Sequence, residues 1–143
     1  MEKKFSTASV SADAARAMIA AAEAAGRELG KRFSIAVVDG SGSLKAFHRM
    51  DGAPQMSIQV AIDKAYTAAG FGRASGKWDE VLQADEILER GARAGIERLI
   101  TFAGGLPLID ETIVGGIGVS GAHYTEDLAV ATAAVEAAGF NVP

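Results

Sequence analysis

Hydrophobic positions along this chain switch between a helical and an extended spacing. Behind a capping Ser11, the apolar residues Ala15, Met18, Ile19, Ala22 and Leu29 fall near the 3.6-residue period, which predicts a first helix stopped near Gly30. Phe33 to Asp39 is a β-branched run ending in Asp39-Gly40-Ser41-Gly42, and Leu44 to Met50 alternates apolar with polar side chains; together they predict a hairpin. After the turn Asp51-Gly52-Ala53-Pro54, the stretch Met56 to Ala69 sets Ile58, Ala61, Ile62 and Ala65 on one helical face. Gly70 to Gly76 reads as a loop, and a helical pattern resumes from Trp78 to Gly91 through Val81, Leu82 and Ile87. Leu99 to Ala103, Leu106 to Ile109 and Thr112 to Ser120 are short apolar runs divided by glycines and acidic residues, which suits antiparallel strands. Thr125 to Gly139 closes the chain as an alanine-rich helix. Strands thus come in adjacent groups with no room for a helix between them, which disfavours a parallel sheet.

Composition narrows the function classes. A length of 143 residues fits one domain, 1–143, able to bury a core without metals or disulfides. The chain has no cysteine, which excludes disulfides, thiolate nucleophiles and zinc-thiolate sites, and makes a reducing cytoplasm the simpler location. Eighteen acidic against 14 basic residues leave a net charge of −4, with the basic residues scattered, so nucleic acid is not an expected partner. The basic start Met1 to Ser6 is followed by no uninterrupted apolar core, so neither a signal peptide nor a membrane span is expected. The many alanines and 17 glycines favour close helix packing and are compatible with self-association.

Four spaced segments carry a family resemblance: Ser34-Ile35-Ala36-Val37-Val38-Asp39, Phe47-His48-Arg49-Met50-Asp51-Gly52-Ala53, Asp63-Lys64-Ala65-Tyr66-Thr67-Ala68, and Gly104-Gly105-Leu106-Pro107-Leu108 leading to Ile117-Gly118-Val119-Ser120-Gly121. In this order they resemble the GlcG/HbpS-type family, the haem-degrading or DUF336 domain that also forms the carboxy-terminal part of PduO-type proteins. The resemblance runs from the first helix to Gly139. It implies an α+β fold with an antiparallel sheet of about five strands flanked by helices, symmetric homo-oligomers, and haem as a candidate cofactor. Two departures stand out. The family pattern carries a small or hydroxyl residue where this chain has His123, and a glycine turn where it has Asp110-Glu111-Thr112.

The segment Gly115 to Tyr124 concentrates the candidate chemistry. Its glycines allow a ligand to approach the backbone, and the start of the last helix favours an anion beside His123. The structural alternative is that Gly118 and Gly121 serve sheet packing or subunit contact and His123 is a solvated cap. His48 shares a strand face with Met50, opposite Phe47 and Arg49, and is either an interfacial residue or an axial ligand to haem iron. Arg49 either pairs with Asp51 across the turn or clamps a carboxylate or haem propionate. Lys64, in a helix that otherwise reads as buried, is a site residue or half of an internal salt bridge. The loop Phe71 to Ser75 either gates a pocket or joins two helices. Two histidines without a matching acidic set argue against a classical zinc centre, and Ser120 lacks the glycine pattern of a hydrolase elbow.

Two functions compete, beside a third reading as a purely structural oligomer or sensor accessory that neither binds haem nor turns over a substrate. One is a cytoplasmic, homo-oligomeric small-ligand protein of the haem-binding type, with His48 or His123 axial, Arg49 or Lys64 on the propionates, and Gly118 and Gly121 at the backbone approach. The other is a catabolic isomerase, hydratase or lyase acting without a cofactor on a small carboxylate or oxo-acid. There His123 would be the acid/base and Lys64 or strand-end amides would stabilise an oxyanion.

Overall fold

A computed structural model describes all 143 residues of the chain. Helix α1 spans Ala12–Glu28 behind Ser11, whose hydroxyl accepts the Ala14 amide at 3.1 Å. Its buried residues Ala15, Met18, Ala22 and Gly26 recur at helical spacing, so a single stripe faces the core. Strands β1 (Ser34–Asp39) and β2 (Leu44–Arg49) form the expected hairpin. The Asp39 carboxylate closes its turn by accepting the amides of Ser41 and Ser43. Helix α2 (Ser57–Phe71) follows, then a 3-10 turn at Ser75–Lys77 and the short helices α3 (Trp78–Gln83) and α4 (Glu86–Gly95). Strands β3 (Gly105–Asp110) and β4 (Thr112–Ser120) and helix α5 (Tyr124–Ala137) complete the chain.

The fold is α+β, and every strand pairing is antiparallel, in the order β2-β1-β4-β3. The sheet has four strands where about five were expected, because Leu99 to Ala103 is not a strand. Side chains take up its backbone groups instead. The Ile100 amide donates to Thr67 Oγ1, and the Phe102 carbonyl accepts from Ser75 Oγ. The helix expected from Trp78 to Gly91 is also divided. Asp85 sits in extended conformation between α3 and α4 and caps α4 by accepting the Leu88 amide at 3.0 Å. The Phe71 to Ser75 segment joins α2 to the 3-10 turn, with Phe71 edge-on to Trp78 and the Arg73 guanidinium over the same indole.

The two faces of the sheet are covered differently. On one, Ile35, Val37, Leu106, Leu108, Ile117 and Val119 form the main core with α1 and α5. The other carries Ala36, Val38, Gly105, Gly116 and Gly118, against which α2 lies with Ala61, Ala65 and Ala69. This face admits almost no side chain. A Cβ on Gly118 would overlap the Ala61 carbonyl oxygen, one on Gly116 the Ala65 carbonyl, and one on Gly105 the Lys64 carbonyl.

Gly118→Ala is therefore expected to lower stability by about 2–3 kcal/mol, since the obstacle is helix backbone that cannot swing aside. Gly91, inside α4 with open space around it, is the control: Gly91→Ala is expected to raise stability by roughly 0.5–1 kcal/mol. Denaturant midpoints of the two variants check both.

Candidate functional site

Lys64 shares the sheet-facing stripe of α2 with Ala61, Ala65 and Ala68, so the helix carries it inward and buries it completely. Its Nζ donates to the Val119 carbonyl at 2.9 Å and to Asp127 Oδ2 at 2.8 Å. Asp127 is placed by the same logic, on the buried stripe of α5 with Val130, Ala131 and Ala134. Its second oxygen accepts the Ala122 amide at 3.1 Å. Burial pushes the Lys64 pKa down and the Asp127 pKa up, in each case against the attraction of the partner. Space for the amine depends on Gly104. That residue has φ +125°, and a Cβ there would stand 2.6 Å from Nζ.

In front of this pair, a cavity of about 370 Å³ opens between the beginnings of α2 and α5. Pro54, Met56, Val60, Phe102 and Tyr124 supply apolar walls, and Ser120, His123 and Asp127 supply polar groups. Three of these walls are large side chains turned toward solvent: Met56 is 83% exposed, Phe102 44% and Tyr124 47%. The Phe102 ring, which lines the groove, also lies 5.0 Å from Lys64 Nζ.

His123 is the N-cap of α5. Its Nδ1 accepts the Thr125 amide at 3.3 Å and lies 2.8 Å from the Thr125 hydroxyl. An amide can only donate, so the neutral ring carries its proton on Nε2, which then serves as a donor. Moving that proton to Nδ1 keeps the hydroxyl contact, with Thr125 Oγ1 now accepting, and frees the Nε2 lone pair. The loss is one long cap bond. The His123 and Tyr124 rings are 4.1 Å apart, so the cap is stacked as well as hydrogen-bonded.

His48 lies elsewhere, in a polar cavity of about 450 Å³ with Glu23, Arg27, Arg32, Met50 and Asp51. Its Nε2 is shielded from solvent 3.4 Å from Glu23 Oε2, without hydrogen-bond geometry. The two histidines therefore do not converge in one chain. Arg49 donates through Nε and Nη2 to the Ala53 carbonyl at 3.2 and 2.8 Å, which corrects the expected pairing with Asp51. Its role is to pin the turn that contributes Met50 and Asp51 to one cavity and Pro54 to the other.

Of the residues singled out from the sequence, His123 and Gly121 line the groove. Lys64 sits behind it, and Gly118 is covered by α2. The neutralised, buried Lys64 is not exposed to clamp a propionate, and the space beside Gly118 is filled by the Ala61 carbonyl. Sequence reasoning missed Met56, Phe102 and Tyr124, which carry no signal apart from the fold. Asp127 did carry one: it interrupts the apolar stripe of α5, as Lys64 interrupts that of α2.

Residues 10–136 match the family model described as haem degrading protein HbpS-like. Over 137 residues the chain is 30% identical to an uncharacterized 15.0 kDa protein of Citrobacter freundii from the dhaT-dhaS intergenic region, covering 95% of this chain and 96% of the relative. Its structure is similar to that of protein ORFY of Klebsiella pneumoniae, with a TM-score of 0.90 at 29% identity over 96% of each chain. It is also similar to a PduOC:heme complex, with a TM-score of 0.84 at 25% identity over 94% of this chain and 97% of that one. The chain belongs to the HbpS-like family, as its four motifs implied.

The pair Lys64–Asp127 is expected to reward specificity of packing more than stability. Lys64→Met leaves Asp127 buried and unpaired and is expected to cost about 3–5 kcal/mol, whereas Lys64→Met with Asp127→Leu together is expected to restore most of that loss. The pH dependence has a definite sign. The contribution of Asp127, with its raised folded pKa, is largest below its ordinary 3.8 and declines as pH rises through the folded value. That of Lys64, with its lowered pKa, is largest above its ordinary 10.5 and declines as pH falls through the folded value. At neutral pH both oppose the ionised pair. Urea melts of the single and double variants across pH measure this.

Proposed function

We propose that this member of the HbpS-like family binds haem in the groove beside His123. The observation that carries the reading is the groove itself: three large apolar side chains stay exposed around a concavity whose rim holds an imidazole able to release its Nε2 lone pair. A planar macrocycle matches such walls, and the related PduOC structure is a heme complex. His123 would hold the group through its imidazole nitrogen, and Met56, Phe102 and Tyr124 would supply the apolar walls. Arg32, whose backbone carbonyl lies against Gly121 and whose side chain lines the neighbouring cavity, would meet a propionate. Bound haem supplies a redox-active iron.

A groove of about 370 Å³ is at the small end of ligand sites, roughly 300–1,000 Å³. A second copy of the chain, packed against the exposed Met56 and Tyr124, would cover the rest of the macrocycle. Self-association and ligand binding are in this reading one arrangement. No helix is long and apolar enough to cross a membrane, and the absence of cysteine supports a cytoplasmic location.

Hemin titration followed at the Soret band tests the assignment. Saturable binding at one haem per groove is expected, with the band shifted and affinity reduced by His123→Ala and unchanged by His48→Ala. Absence of a saturable change, or loss of binding with His48→Ala alone, overturns it. Light scattering of the haem-loaded protein is expected to give an oligomer, and weaker association in Met56→Asp.

A further inference from the structure

Lys64 and Asp127 are the only buried side chains of the fold that ionise. A tie between α2, β4 and α5 needs no charge, because packed apolar side chains of the same volume join elements at least as well. The amine nevertheless sits in a confined place: at Gly104, with φ +125°, a Cβ would meet both Nζ and the Val119 carbonyl that accepts from it. The pair also adjoins the groove. Asp127 forms part of its lining, and the ring over Nζ is that of Phe102, half-exposed on the groove wall. Phe102 belongs to residues 96–104, which form neither helix nor strand, and its carbonyl is held by the Ser75 hydroxyl at 2.7 Å.

We propose that Lys64 is a carbonyl-capturing amine: with Phe102 turned aside, its Nζ forms an imine with a small 2-oxo acid held in the groove, and Asp127 handles the protons. Lys64 first passes a proton to Asp127, which converts ammonium and carboxylate to amine and carboxylic acid. Burial disfavours both charged forms, so this transfer is easier here than in water. The nitrogen lone pair then bonds to the carbonyl carbon while the carbonyl π pair moves to oxygen. A proton passes from nitrogen to that oxygen to give the carbinolamine. Asp127 returns its proton to the hydroxyl, which leaves as water, and a protonated imine remains opposite the Asp127 carboxylate. One carbonyl compound is consumed and one water released, with no oxidant or reductant. The charge pairing of the resting pair is lost in the first transfer and restored when the protonated imine forms. His123, with its Nδ1 engaged by Thr125, offers Nε2–H on the same groove to the acid group of the substrate.

This chemistry goes beyond haem binding and asks nothing of iron. The test is reductive trapping on the intact, haem-free protein with glyoxylate and cyanoborohydride, followed by peptide mass mapping. The expected result is an adduct on Lys64 that saturates with glyoxylate, while any on Lys3, Lys4, Lys31, Lys45 or Lys77 rises linearly. Phe102→Ala is expected to accelerate trapping at Lys64 on the order of tenfold, as local opening ceases to limit access. Lys64 left unmodified while surface lysines react, or a trapping rate untouched by Phe102→Ala, overturns the proposal. Because the adduct is mapped in the unaltered chain, the test does not depend on a Lys64 variant that folds.

Discussion

The closeness of α2 to the sheet is the constraint on which the rest of this fold depends. Gly105, Gly116 and Gly118 present bare backbone, and the carbonyls of Lys64, Ala65 and Ala61 occupy the volume where side chains would otherwise stand. Alanines on the helix and Ala36 with Val38 on β1 complete a layer that is thin on both sides. Dispersion contacts between backbone atoms replace interdigitated side chains there, and such contacts vanish with a small separation. The opposite face has a conventional core of larger residues under α1 and α5. A thick layer and a thin one thus share a single sheet.

That thinness decides what a lysine on α2 can reach. With the helix axis so near β4, the Lys64 side chain extends to the Val119 carbonyl and to Asp127 on α5, bridging three elements in one step. A helix held farther off by ordinary side chains would leave the amine short of both. The pair in turn fixes the beginning of α5, because Asp127 also accepts the Ala122 amide just ahead of the His123 cap. The position of His123 on the groove therefore follows from glycines on strands that do not touch it. Glycine content that first reads as a place for a ligand is in large part a place for a helix.

Most elements were legible in the sequence because each has a local cause. Ser11 and the apolar stripe behind it specify α1; Asp39 and the glycines after it specify the hairpin turn. The two misreadings were of segments whose apolar content is local but whose partners are distant. Leu99 to Ala103 reads as a strand until Thr67 and Ser75 are seen to take up its backbone groups, and α3 and α4 read as one helix until Asp85 turns out to cap the second. The family was also readable, since four motifs in fixed order are a property of the sequence itself.

The site divides along the same line. From the sequence alone came His123 as a departure at the end of the glycine strand, Lys64 as a charge within a buried stripe, and the α+β class with its antiparallel pairing. Periodicity suffices for these because it reports which face a residue occupies. Which residues meet across faces is different information. Only the tertiary structure separated His48 from His123, turned Arg49 to the Ala53 carbonyl, matched Lys64 with Asp127 across 63 positions, and gathered Met56, Phe102 and Tyr124 around one opening. Those outcomes rest on how near the layers approach one another, a distance set by packing and written in no single segment.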